Sequence, residues 1–179
     1  KLDVPDGSAR LPIHYACEHG NFDITELLLK NGAKVDARDR EGRLPIHYAC
    51  KQGRLSIIQL LLTHGANVDV PDGVGRMPIH YACKHGDLSV VELLLTNSAK
   101  VDIPDGSGRL PIQYACQKWH KNIIELLVRN GAKVNVPHRG GELPIHCACK
   151  HRDLDVVKLL LTTGARVDVP DGDGTLPMH

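Results

Sequence analysis

Aromatic side chains are scarce in this sequence. There are six in 179 residues, or 3%: Phe22, Trp119 and the tyrosines at 15, 48, 81 and 114. A core made of rings is therefore excluded, and so few rings speak against a stacking platform for single-stranded nucleic acid. Excess charge is also missing. The 22 basic and 21 acidic residues leave a net charge of +1, which disfavours a globally basic nucleic-acid binder. No apolar run approaches the ~18 residues of a membrane span. Hydrophobic residues still make up 42% of the chain, so the chain can bury a core, and that core must be aliphatic. The length suits one or two ordinary domains.

Self-similarity decides between those options. Leu-Pro-Ile-His-Tyr-Ala-Cys starts at Leu11 and returns at Leu44, then as Met77-Pro78-Ile79-His80-Tyr81-Ala82-Cys83. Variants begin at Leu110, Leu143 and Leu176, each 33 residues after the last. The units run 3–35, 36–68, 69–101, 102–134 and 135–167, and a partial sixth covers 168–179. No linker or shift of composition separates them, so residues 1–179 form a single array. Each unit opens with a turn signal, Pro71-Asp72-Gly73 in the third. A proline follows at the first position of a short helix (Pro12, Pro45, Pro78, Pro111, Pro144 and Pro177), where a missing N–H costs nothing. Gly20, Gly53 and Gly86 are placed to end that helix. A second helix carries Phe22, Ile24, Leu27, Leu28 and Leu29 in the first unit and closes at Gly32-Ala33. One such unit cannot bury its own apolar face, but stacked units can.

The period, the turn, the Pro-Ile-His-x-Ala segment and the Leu-Leu-Leu-x-x-Gly-Ala-x-Val-Asp tail resemble the ankyrin repeat family over essentially the whole chain. The resemblance implies an all-α repeat solenoid of stacked helix–turn–helix units with β-hairpin-like fingers. It also implies a non-catalytic scaffold that binds other proteins through finger tips and the first-helix face. One departure is systematic. The family's Thr before the proline is here Leu11, Leu44, Met77, Leu110, Leu143 and Leu176. Such a Thr would cap the helix, worth about 1 kcal/mol. The replacing row either packs against the neighbouring finger or is offered to a partner.

Motifs that resemble chemistry repeat too regularly to be sites. Five of the six cysteines, Cys17, Cys50, Cys83, Cys116 and Cys149, recur at one small-residue position. Stacked helices lie about 8–10 Å apart, whereas a disulfide needs Cα atoms within about 7 Å. Cys147 and Cys149 point to opposite sides of one helix. Buried thiols and a reducing intracellular compartment, cytoplasmic or nuclear, are expected. His146-Cys147-Ala148-Cys149-Lys150-His151 looks like a metal run, but four converging ligands are needed and helical spacing splays these apart. His146 belongs instead to a column with His14, His47, His80 and His179, interrupted by Gln113. That column is expected to bond the backbone of the adjacent finger. No catalytic fingerprint is present, so neither enzyme activity, metal nor cofactor is expected.

Positions that vary between units are free of the stacking constraint, and they define a candidate partner surface. Its fingers carry Arg10, Arg38, Arg40, Arg43, Arg76, Arg109 and Arg139. Its first-helix ends carry His19, Lys51, Lys84, His85, Lys118 and Lys150, with Trp119 beside them. This face holds eleven basic side chains against four acidic ones, Glu18, Glu41, Glu142 and Asp173. The finger aspartates Asp6, Asp39, Asp72, Asp105 and Asp171 offset part of the excess, and their own turn backbone or the arginine four residues on is expected to occupy them. An acidic or phosphorylated peptide partner follows, since guanidinium forks suit carboxylate and phosphate. Trp119 replaces a turn glycine, and Lys121 replaces an apolar residue beside it. The ring either folds inward over Lys121 or stands exposed as a hot spot. Ser98 likewise stands where the tail glycine falls. Asn135 resembles the asparagine that 2-oxoglutarate oxygenases hydroxylate in many ankyrin proteins. Neither end of the array carries a polar capping unit. The alternative reading is thus a regulatory or targeting array within a larger enzyme, channel or microbial effector. Nucleic acid is a weak candidate partner, and self-association stays open.

Overall fold

In the computed structural model, residues 2, 4–137 and 140–177 are described. Ten helices occur among them, two per repeat. The first helices are α1 (Pro12–His19), α3 (Pro45–Lys51), α5 (Pro78–His85), α7 (Pro111–Lys118) and α9 (Pro144–Lys150). The second helices are α2 (Phe22–Lys30), α4 (Leu55–Thr63), α6 (Leu88–Thr96), α8 (Lys121–Arg129) and α10 (Leu154–Thr162). At seven to nine residues, such helices are not stable alone in water. Each packs on its partner and on the equivalent helix of the next unit, so the array is a solenoid with one continuous aliphatic core.

The helix boundaries follow the local signals. Every first helix begins with proline at its first position, preceded by an extended residue. Gly20 and Gly86 close α1 and α5 in the left-handed conformation at φ +82° and +100°. The first helices touch one another more extensively than the second helices do. Their contact faces are small: Ala49, Cys50, Ala82 and Cys83 have no exposed surface. Small residues let the first helices approach closely. Against them lie the large aliphatics Ile57, Ile58, Leu61, Val90, Val91, Leu94, Ile123, Ile124 and Leu127 of the second helices, all 2% exposed or less. Each such side chain contributes about 1.5–3 kcal/mol by burial.

The row that replaces the family's threonine is a packing row. Leu44, Met77, Leu110 and Leu143 are buried inside the stack. The cap they cannot provide is partly replaced by the histidine column. Nδ1 of His14, His47, His80 and His146 accepts the backbone N–H of the residue before the proline, at 2.9–3.0 Å. An accepting Nδ1 places the proton on Nε2, which donates into the next finger. The acceptors are the carbonyls of Ala37 at 2.9 Å, Val70 at 3.0 Å, Ile103 at 2.9 Å and Thr175 at 3.3 Å. Gln113 reproduces the arrangement without titrating. Its Oε1 accepts from Leu110 N–H at 2.9 Å, and its Nε2 donates to Val136 O at 2.8 Å. His179 lies outside the described residues.

The fingers are turns, and no strand is assigned among the described residues. They are joined along the array by single backbone hydrogen bonds, Gly73 N–H to Glu41 O at 2.7 Å and Gly106 N–H to Val74 O at 3.0 Å.

Candidate interaction face

Five of the fingers are each closed by an aspartate. Asp39 Oδ1 accepts from the N–H groups of Glu41 and Arg43, both at 2.8 Å. The same pattern recurs at Asp6, Asp72, Asp105 and Asp171. The second carboxylate oxygen is taken by a tyrosine nine residues on. Tyr48 Oη donates to Asp39 and Tyr81 Oη to Asp72, each at 2.6 Å. Tyr15 and Tyr114 do the same toward Asp6 and Asp105. Burial opposes ionisation of Asp39 and Asp105, yet the hydrogen bonds from tyrosine and turn outweigh it and hold both below the ordinary carboxylate value. The tyrosines respond in the opposite sense. Burial and the facing carboxylate push Tyr81 up to about 12. These aspartates therefore belong to the scaffold rather than to the surface offered to a partner.

In the first four units the arginine four residues after the aspartate lies along this tyrosine ladder. The Arg10 guanidinium stands 3.9 Å from the centre of the Tyr15 ring and 4.5 Å from that of Tyr48, and pairs with Glu18. Arg43 pairs with Asp39 at 3.1 Å and Glu41 at 2.7 Å. Arg76 has no carboxylate partner among the described residues, and its Nε donates to Tyr114 Oη at 3.2 Å. Arg109 sits 5.8 Å from the Tyr114 ring centre. Arg38 donates to two carbonyls, Gly42 O at 2.9 Å and Pro71 O at 3.0 Å, and Arg40 is exposed. Lys150 pairs with Glu142. Arg139 lies outside the described residues. His19, Lys51, Lys84, His85 and Lys118 are exposed at the first-helix ends.

The uncompensated charge is thereby localised. Arg10, Arg43 and Lys150 are neutralised by neighbours. Lys51, Arg76, Lys84, Arg109 and Lys118 have no ion pair among the described residues, and all five belong to the second, third and fourth units. A cleft of about 290 Å³ opens there, lined by Lys51, Arg76, Lys84 and His85 with Tyr81 and Tyr114.

The irregular fourth unit resolves differently from either reading of its sequence. Trp119 adopts the left-handed conformation at φ +53° that its glycine counterparts use. Its ring is half-buried and stacks on His151 of the next unit, with centroids 4.2 Å apart and planes at 12°. The gap at Lys121 is filled by charge: its ammonium lies 3.1 Å from Asp153 and 3.5 Å from Asp155. Ser98 also takes a positive φ, +68°. Asn135 bridges the start of its unit to its end, donating to Gly164 O at 2.8 Å and accepting from Arg166 N–H at 2.9 Å, and it is exposed. Asp69 and Asp102 use the same position to accept from Lys100 and Lys133.

None of the six cysteines forms a disulfide. Burial pushes the Cys17 thiol up to about 12. Cys147, standing where the tyrosine ladder lapses, meets Cys116 of the preceding unit, and that hydrogen bond together with burial raises the Cys116 pKa. The metal-like run is dispersed. His146 faces backbone, Cys147 faces Cys116, and His151 lies on Trp119.

Three of these contacts escaped the sequence reading: tyrosine to aspartate, Trp119 to His151, and Cys147 to Cys116. The first had a signal, since both residue types recur in register nine apart in four units and the tyrosine is lost in the fifth, where position 138 is His. The other two occur once each and have none.

The described helices include none long and apolar enough to cross a membrane. A family model described as ankyrin repeats (3 copies) matches residues 2–72 and 79–171. No curated protein matches the chain.

Proposed function

Because the chain belongs to the ankyrin repeat family, whose repeats are generally protein–protein interaction modules, we propose that it is a non-catalytic scaffold that binds a protein partner across its finger tips and first-helix ends. The partner segment is acidic or phosphorylated. The observation that carries this reading is the unequal use of charge along one face. Arg10 and Arg43 are internally paired. Lys51, Lys84 and Lys118, at the far ends of the first helices, are exposed with no ion pair among the described residues. Exposed cations of one sign steer an acidic partner and set its register. The remaining basic side chains of the face, Arg38, Arg40, Arg76 and Arg109, extend that field onto the fingers. Asn135 is exposed on the loop side and is a candidate for hydroxylation in a host with such an oxygenase.

The pairing dictates the test. Charge reversal at Arg43 or Arg76 would break Asp39 and Tyr114 contacts inside the scaffold, so the lysines are the better probes. A capture experiment compares the array with a K51E/K84E/K118E variant, with bound segments identified by cross-linking. Segments rich in Asp, Glu or phosphate that are retained by the first and lost by the second are expected. An identical captured set for both proteins would remove the reading.

A further inference from the structure

The cleft at Lys51, Arg76 and Lys84 differs from its equivalents along the array. One unit earlier, the same ring of positions reads Glu18, Arg43 and Lys51; one unit later it reads Lys84, Arg109 and Gln117. In the first case Arg43 is already paired with Asp39 and Glu41. Only the middle ring combines three cations with no carboxylate in its lining. The nearest finger carboxylates, Asp72 and Asp105, accept from their tyrosines and turns. Neither forms an ion pair with Lys51 or Lys84 among the described residues.

The cleft is also organised. Arg76 Nε is anchored on Tyr114 Oη at 3.2 Å, which sets the plane of the guanidinium and leaves its terminal nitrogens without a carboxylate. Tyr114 is itself held by Asp105. The His85 ring lies against Gly53, where an added Cβ would come within 2.5 Å of Nε2. A larger residue at 53 would push the ring away from the lining.

We propose that this cleft receives a phosphorylated side chain of the bound peptide. Three cations around one space of about 290 Å³ exceed what a single carboxylate neutralises. A phosphomonoester carries about −1.5 to −2 and three strong acceptor oxygens, enough to meet a guanidinium fork and two ammonium groups at once. The volume is at the lower edge of ligand pockets, roughly 300–1,000 Å³, and suits one side chain rather than a folded element. The inference rests on the protein-binding reading above and assigns one position within it.

The test is a two-dimensional NMR titration of the array with the peptide acetyl-Gly-Ala-pSer-Ala-Gly-amide and its Ser and Glu counterparts, at fixed ionic strength. The phosphopeptide is expected to give saturable shifts at Arg76 Nε–H, His85 and Tyr114, with at least fivefold tighter binding than the Glu peptide. K51Q/K84Q should weaken it at least tenfold, while K158E, distant on α10, should leave it unchanged. Equal binding of the Glu and phosphoserine peptides would overturn the phosphate assignment while supporting the acidic-partner reading. Inorganic phosphate binding as tightly as the phosphopeptide would overturn the peptide part. Shifts spread evenly over exposed lysines, or unaffected by K51Q/K84Q, would overturn the site itself. The capture experiment tests the wider face independently of all three.

Discussion

Acid should unfold this solenoid through its buried histidines, and one natural substitution shows how to prevent it. His14, His47 and His80 have no exposed surface. Burial depresses the pKa of each, outweighing the backbone acceptors and nearby charges. The facing groups are Asp39 and Arg10 for His14, Asp72 and Arg38 for His47, and Asp105 for His80. The folded-state pKa lies below the unfolded one, so protonation favours the unfolded chain. Stability is full above the unfolded value of about 6.5 and is lost as pH falls below it. Between pH 7.5 and 5.5 each such histidine costs at most about 1.4 kcal/mol, or about 4 kcal/mol for the three. The paired aspartates do not contribute in this window. Their folded pKa values are lowered, and their stabilisation is lost only as pH falls below about 3.9. Gln113 already makes both hydrogen bonds of a column histidine. The triple variant H14Q/H47Q/H80Q should therefore keep its fold at pH 7.5, at a side-chain entropy cost of up to about 1 kcal/mol per site. Urea unfolding at pH 7.5 and 5.5 measures both terms. The variant is expected to lose less than the parent across the interval, by up to about 4 kcal/mol. An undiminished pH dependence in the variant would refute the reasoning.

Three other outcomes follow from the contacts. Tyr48→Phe removes the donor to a buried carboxylate oxygen of Asp39, and urea unfolding at pH 7 should show a loss of about 1.5–3 kcal/mol. Gly75→Ala should cost well over the roughly 1–2 kcal/mol of a left-handed alanine, because its Cβ would meet Gly106 N at 2.4 Å. Gly65→Ala, with φ +86° but nothing within 4 Å, should cost only that backbone penalty, so thermal melting should rank the two. His151→Ala uncovers one face of the Trp119 ring, and iodide quenching of its fluorescence should increase; unchanged quenching would mean that the stack does not persist in solution.

How much of this was legible before the structure depends on the range of the interaction. Helix starts at Pro12, Pro45 and Pro78 were readable because a proline acts on its own backbone. The Asx turns of the fingers were readable for the same reason, since Asp39 binds N–H groups two and four residues away. The histidine column was readable as structural because it repeats every 33 residues, and repetition marks a role within the unit. The identity of the available cations was not readable. Arg10 and Arg76 occupy one register position, yet Arg10 meets Glu18 and Arg76 meets Tyr114. The difference comes from the residue eight positions on, where Glu18 has become Lys51 and Lys84.

The sequence by itself determined the solenoid, its period, its aliphatic core and the face on which side chains are free to vary. These are consequences of local backbone preferences and of a pattern copied at constant interval. Tertiary structure alone decided which of those side chains are already occupied. It turned the tyrosines and finger aspartates into scaffold, laid Trp119 on His151, set Cys147 against Cys116, and left Lys51, Arg76 and Lys84 around one cleft. The physical reason for the last contacts is distance along the chain: Trp119 and His151 lie 32 residues apart and Cys116 and Cys147 lie 31 apart, whereas each tyrosine and aspartate lie nine apart within one unit. No local signal reports whether a charge is already neutralised.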